Sequence, residues 1–155
     1  SHPAAHIAKS DKCNFHFVGP IPKEAQIDSK YIFYHGELKS YEAIEKIYAK
    51  SDVLLAPSLS EGMPNVIMEA MANGMSIIAT DVGANSLLLN KENGVLLNVP
   101  VKNKLHEAMA KLILCSNDEL LQLKLASIVK IQKFSWDKIG LKTIESFQKL
   151  INRKR

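Results

Sequence analysis

The chain is expected to form an α/β fold, a doubly wound parallel sheet of about five strands with helices on both faces. Three observations predict it. Short apolar runs of strand length, such as Val53-Leu-Leu-Ala56, alternate along the chain with longer segments whose apolar residues recur at helical spacing. Such alternation builds parallel strands joined by helical crossovers. At 155 residues the chain suits a single domain with a sheet covered on both sides. No linker, internal repeat or low-complexity stretch divides it.

Residues 14 to 18, Asn-Phe-His-Phe-Val, lead into Gly19-Pro20 and read as a first strand closed by a turn. A polar loop with a little helix follows, through Pro22 and Asp28-Ser29. Tyr31 to His35 is a second strand. Tyr41 to Lys50 is a helix with Ala43, Ile44, Ile47 and Tyr48 on its apolar face. Val53 to Ala56, closed by Pro57, is the third strand. A helix near residues 64 to 73 opens at Pro64, whose missing N–H costs nothing in a first turn, and stops before Gly74. Ser76 to Thr80 and Val95 to Asn98 complete the strands. Asn103 to Leu114, Asp118 to Gln132 and Trp136 to Ile151 are amphipathic helices. On the last, Trp136, Ile139, Ile144, Phe147, Leu150 and Ile151 share one face, for which core packing is the favoured reading and a partner's groove the minority one.

Composition excludes several classes. A content of 46% hydrophobic and 23% charged residues is that of a globular protein, not a disordered or fibrous one. The net charge of +4 is mild, and its one dense cluster, Asn152-Arg-Lys-Arg155, reads as a solvated tail with at most weak attraction to an acidic membrane surface. With 6% aromatics and no recognisable motif, there is no footprint for nucleic acid. Cys13 and Cys115 form no CxxC or His-rich pattern, so reduced thiols in a cytoplasmic protein are expected and no metal site is assigned. No apolar run approaches the ~18 residues of a spanning helix, and residues 1 to 12 lack the apolar core of a secretory signal.

Chemistry concentrates in Ser58-Leu-Ser-Glu61-Gly-Met-Pro-Asn-Val-Ile-Met-Glu69-Ala-Met-Ala-Asn-Gly74. Glu61 falls just before a helix start, among free backbone N–H groups and the positive end of the helix dipole, a natural place to hold an anion. Glu69 falls two turns into that helix, so the pair could grip two ends of one elongated ligand. The bland alternative is a capping box, Ser58 with Glu61 three residues on, and a solvated Glu69. Spacing alone leaves the two readings level.

The run Glu61 to Gly74 resembles the E-x7-E motif of the retaining GT-B glycosyltransferases called group 1, or family 4. Further matching pieces stand in order: Phe33-Tyr-His-Gly36, Tyr48-Ala-Lys-Ser-Asp52-Val-Leu-Leu-Ala-Pro57-Ser58, Ile77-Ile-Ala-Thr80-Asp-Val-Gly83, Gly94-Val-Leu-Leu and Phe134-Ser-Trp136. They span about residues 14 to 136, most of the chain.

The resemblance implies a Rossmann-like domain, the C-terminal, donor-binding half of a GT-B fold. Residues 1 to 155 would then be one partial domain, without the family's first strand, its diphosphate-clamping Arg and Lys, or the N-terminal acceptor domain. It implies that Glu61 contacts hydroxyls of the transferred sugar and is the catalytic residue. Backbone N–H groups around Gly62, Met63, Asn65 and Val66 would face the sugar and diphosphate, Glu69 would bind the ribose hydroxyls, and Gly19 would let the backbone approach the nucleotide. The implied donor is a nucleotide-diphosphate sugar of hexose type, with no cofactor and no metal. The implied acceptor is a glycan or a lipid-linked glycan, and the location is cytoplasmic, at most peripheral to the inner face of the membrane. The isolated chain is expected to be inactive.

Two departures from the family pattern bear on the donor contacts. Gly83 is followed by Ala84, with Leu87 at a position where the family often has glutamate, and Ser76 replaces a common proline. These changes motivate a rival reading as a non-catalytic or degenerate nucleotide-sugar-binding module. A third reading, a sugar-nucleotide epimerase of similar two-domain architecture, lacks the Glu61 to Glu69 motif.

Overall fold

The computed structural model describes residues 13–98 and 102–152. Its strands are β1 (Phe15–Phe17), β2 (Ile32–Tyr34), β3 (Val53–Ala56), β4 (Ser76–Thr80) and β5 (Gly94–Leu97). Its helices are α1 (Tyr41–Tyr48), α2 (Asn65–Ala72), α3 (Asn85–Leu88), α4 (Lys102–Leu114), α5 (Asn117–Ile131) and α6 (Trp136–Asn152), with 3-10 turns at Lys23–Ala25 and Gln132–Phe134. The expected elements are all present within a residue or two of their expected ends. Only α3 was not anticipated, and its single turn is too short to show a period. The basic cluster at Arg153 to Arg155 lies outside the described residues.

Every strand pairing is parallel, and helices lie on both faces, so the α/β expectation holds. The ladders are two: β1 with β2, Phe15 opposite Ile32, and β3–β4–β5, Val53 opposite Ser76 and Ile77 opposite Gly94. β1 and β3 do not pair with each other.

The period of two along a strand divides the core. On central β4, Ile77 and Ala79 point to one side, where they meet Tyr48 of α1, Ile67, Ala70 and Met71 of α2, and Leu88 of α3. Ile78 points to the other side, against Ala108, Met109 and Leu112 of α4, with Leu97 of β5. All five residues of β4 are buried, as a strand covered on both faces must be. This packing fixes where β3 and β4 end, and so where the loops that follow them emerge.

The last helix corrects the favoured reading of its apolar face. Trp136 is 88% exposed, and Ile144, Phe147, Leu150 and Ile151 are exposed too. α6 leaves the domain after Ser135 and packs mainly against the turn Gln132–Phe134, so no core of the described residues covers it. Among the described residues, no helix is long and apolar enough to cross a membrane.

Candidate functional site

Within each ladder the strands run parallel, so their carboxyl ends share an edge, the kind of edge at which open α/β sheets bind ligands. Gly19 and Gly36 follow β1 and β2 there. The loop Pro57 to Met63 follows β3, and Asp81 to Ala84 follow β4. Gly19 has φ +119°, a backbone that side chains rarely adopt, and its N–H donates to the Gly36 carbonyl at 2.7 Å. Gly19 belongs to the β1–β2 ladder, whereas Glu61 follows β3 of the other ladder.

The loop carrying Glu61 is fastened to the turn after β4 at three points. The Thr80 hydroxyl donates to the Ser58 carbonyl. The Ala84 N–H donates to the Gly62 carbonyl at 2.9 Å. Between them, Gly83 has φ +56° and lies so close that a Cβ built on it would stand 2.1 Å from the Glu61 carbonyl oxygen. Only glycine fits both the left-handed backbone and that approach. The Glu61 side chain is part-exposed above this seat.

The capping-box alternative is not what forms. Pro64 is the N-cap of α2, with no side-chain cap bond, so the helix starts beyond the reach of Ser58 and Glu61. A reciprocal capping box occurs instead at Ser116 and Glu119 of α5. The first hydrogen bonds of α2 run from the Ile67 and Met68 N–H groups to the Pro64 carbonyl. This leaves the N–H groups of Gly62, Met63, Asn65 and Val66 without a partner among the described residues. All four residues are exposed. Together with the helix dipole they can hold an anion beside Glu61.

Glu69 sits one face away on α2, part-exposed. One carboxylate oxygen accepts the Tyr48 hydroxyl at 3.1 Å, which leaves the other free for a ligand. Tyr48 is itself buried, and burial together with the neighbouring Glu69 charge pushes its phenol up to about 12. It therefore stays a hydrogen-bond donor across the physiological range. Sequence reasoning placed Tyr48 on an apolar helix face and missed this bond. The signal was there, since a buried tyrosine hydroxyl needs a partner. Gly83 closed one of the matching motif pieces without being assigned a role, and nothing local announces its contact with Glu61. Leu87 is 61% exposed, and Ala84 contributes its backbone alone. Among the described residues, no three His, Cys, Asp or Glu side chains converge as a metal site would require.

Comparison with known proteins gives a consistent picture. Residues 2–115 match the family described as "Glycosyl transferases group 1". A glycosyltransferase of Bacillus subtilis named for teichuronic acid biosynthesis is 33% identical over 95 residues, which cover 61% of this chain and 24% of that protein. The crystal structure of HepE from Anabaena in complex with UDP-glucose superimposes with a TM-score of 0.73 at 16% identity, over 94% of this chain and 43% of that one. The C-terminal domain of the group 1 family protein LpcC from Francisella tularensis superimposes with a TM-score of 0.61 at 24% identity, over 72% of this chain and 56% of that one. The chain thus spans about a quarter of its curated relative and about half of these structures.

Proposed function

Since the chain belongs to the group 1 glycosyl transferases, we propose that it is the C-terminal, donor-binding portion of a retaining hexosyltransferase acting on a glycan or lipid-linked acceptor. The observation that carries this reading is the pair of differently held carboxylates at the carboxyl edge. Glu61 stands on a fastened loop beside four unpartnered N–H groups, and Glu69 keeps one oxygen free. A nucleotide-diphosphate sugar needs both kinds of contact. Its ribose diol pairs with a carboxylate that offers two acceptor sites. Its diphosphate suits N–H groups at a helix start.

In this reading Glu69 holds the ribose. The N–H groups of Gly62, Met63, Asn65 and Val66 face the diphosphate and sugar, and Glu61 orients the sugar's hydroxyls while the bond from its anomeric carbon to the diphosphate breaks. Gly19 gives the nucleotide room at the end of β1. The two glutamates are not a glycosidase acid/base pair, because they come from one loop and its own helix instead of flanking the scissile bond. Neither metal nor cofactor is assigned a part. The charge that eases diphosphate departure belongs to the rest of the longer protein, which also supplies the acceptor site and works in the cytoplasm or at the inner membrane face. The UDP-glucose bound to HepE and the teichuronic acid pathway of the Bacillus relative support a UDP-sugar donor and a polysaccharide acceptor.

Titration calorimetry on the longer protein tests the assignment. Glu69→Ala is expected to weaken UDP at least tenfold, the loss of a charge-assisted hydrogen bond of about 1.5–3 kcal/mol. The analogue 2′,3′-dideoxy-UDP is expected to bind both proteins alike. Equal UDP affinity in the two proteins refutes the ribose role. A second reading, a module that binds donor without transferring sugar, draws on exposed Leu87 where the family often has glutamate. It is distinguished by UDP binding without turnover in the unmodified longer protein.

A further inference from the structure

Tyr48 and Glu69 meet as a rigid group and a mobile one. Tyr48 is the last residue of α1, and its side chain belongs to the core cluster that holds Ile67, Ala70 and Met71 of α2. Its backbone is pinned too, because the Ser51 N–H donates to the Tyr48 carbonyl at 3.0 Å and the Ser51 hydroxyl to the Ile47 carbonyl at 2.7 Å. The phenol therefore has one place to go, and there it donates to Oε2 of Glu69 at 3.1 Å. The backbone of Glu69 is equally fixed, since its carbonyl accepts both the N–H and the side-chain amide of Asn73, at 3.0 and 2.9 Å. Its side chain is different. A glutamate turns about three bonds, the last of them loosely, and this one is part-exposed. Among the described residues no Lys or Arg pairs with it, so the phenol is what holds the carboxylate.

We infer, resting on the ribose role proposed for Glu69, that Tyr48 is a positioning residue: it aims the Glu69 carboxylate before the nucleotide arrives, leaving Oε1 and the second lone pair of Oε2 for the ribose hydroxyls. A neutral donor suits this task better than a cation. A lysine would fix the carboxylate as well, but it would offset the negative charge that strengthens hydrogen bonds from the ribose. The phenol orients the group and leaves its charge in place, and burial beside Glu69 keeps the phenol protonated. Without the hydroxyl, the ligand itself would have to order the glutamate, and that ordering is subtracted from affinity. The role of Tyr48 is thus separable from packing. Phenylalanine would fill the same core space and leave Glu69 unaimed.

Titration calorimetry on the longer protein tests this, using UDP or GDP, whichever the parent binds more tightly, and the matching 2′,3′-dideoxy nucleotide. Tyr48→Phe is expected to weaken the ribonucleotide by roughly three- to tenfold, the cost of ordering one rotamer-rich side chain on binding. It is expected to bind the dideoxy nucleotide as the parent does, which also reports that the rest of the site is folded. In a Glu69→Ala background the same change is expected to have no further effect. Without any ligand, three-bond NMR couplings along the Glu69 side chain are expected to show one rotamer in the parent and averaging in Tyr48→Phe. Equal ribonucleotide affinity in Tyr48→Phe and the parent, where Glu69→Ala binds weakly, overturns the positioning role and leaves the ribose role standing. So does averaging of Glu69 in the parent. A loss shared by both nucleotides also overturns it, since the hydroxyl then supports only the fold. A Glu69→Ala protein that binds the ribonucleotide normally, or a parent that binds neither UDP nor GDP, overturns both roles together.

Discussion

Two glycines a few ångströms apart should answer opposite questions. Adding a Cβ at Gly83 imposes a left-handed backbone on alanine, about 1–2 kcal/mol. It also drives that carbon to 2.1 Å from the Glu61 carbonyl oxygen. Backbone must then move by about 1 Å to restore a tolerable contact, an overpacking cost of about 1–3 kcal/mol. Gly83→Ala is therefore expected to cost about 2–5 kcal/mol in urea unfolding, roughly 4–20 °C in Tm for a chain of this size. Gly62 has no left-handed backbone, and a Cβ there meets nothing within 4 Å. Gly62→Ala should change stability by less than about 0.5 kcal/mol. Under the proposed function both variants should nevertheless weaken UDP binding in the longer protein, Gly83→Ala by displacing the Glu61 loop, where misplacement of about 1 Å can cost about a hundredfold, and Gly62→Ala by putting a methyl group against the proposed diphosphate position. A Gly83→Ala protein as stable as the parent refutes the buttress. A Gly62→Ala protein that binds UDP normally removes the loop backbone from the site.

Two further outcomes are open to measurement. Tyr48 has a folded-state pKa raised from 10 to about 12, so its contribution to stability is complete below pH about 10 and lost as pH rises through 12. The stability difference between the parent and Tyr48→Phe, about 1 kcal/mol near neutrality, should fall as pH rises through that window, and a difference independent of alkaline pH refutes the raised pKa of the buried phenol beside Glu69. The exposed face of α6 should make the 155-residue chain associate with rising concentration in light scattering. The pair Ile144→Asp and Phe147→Asp should abolish this without loss of stability, since both side chains are more than half exposed; unchanged association assigns it elsewhere.

Much of the fold was legible because burial on both faces leaves a plain mark. Ser76 to Thr80 is an unbroken small and apolar run, and it became the fully buried centre of the sheet. Pro64 and Gly74 bracketed α2 because each answers a local backbone requirement. Where a property depended on something distant in sequence, it was hidden. Tyr48 and Glu69 are 21 residues apart, and no periodicity connects them. Gly83 meets Glu61 only because β3 and β4 end side by side. The apolar stripe of α6 illustrates the complementary failure: period reveals which residues share a face, but not whether anything in these residues covers it. The break between β1 and β3 was equally invisible, because strand runs give no pairing order.

The fastening of the Glu61 loop by Thr80, Gly83 and Ala84 also bears on the thermodynamics of recognition. A free loop loses about 1–2 kcal/mol of conformational entropy for every residue that a ligand orders. Here Ser58 and Gly62 are tied to the end of β4 and the turn after it by hydrogen bonds of the chain itself, so most of that ordering is completed when the chain folds. Donor association at this loop should accordingly be rapid, with a small entropic penalty.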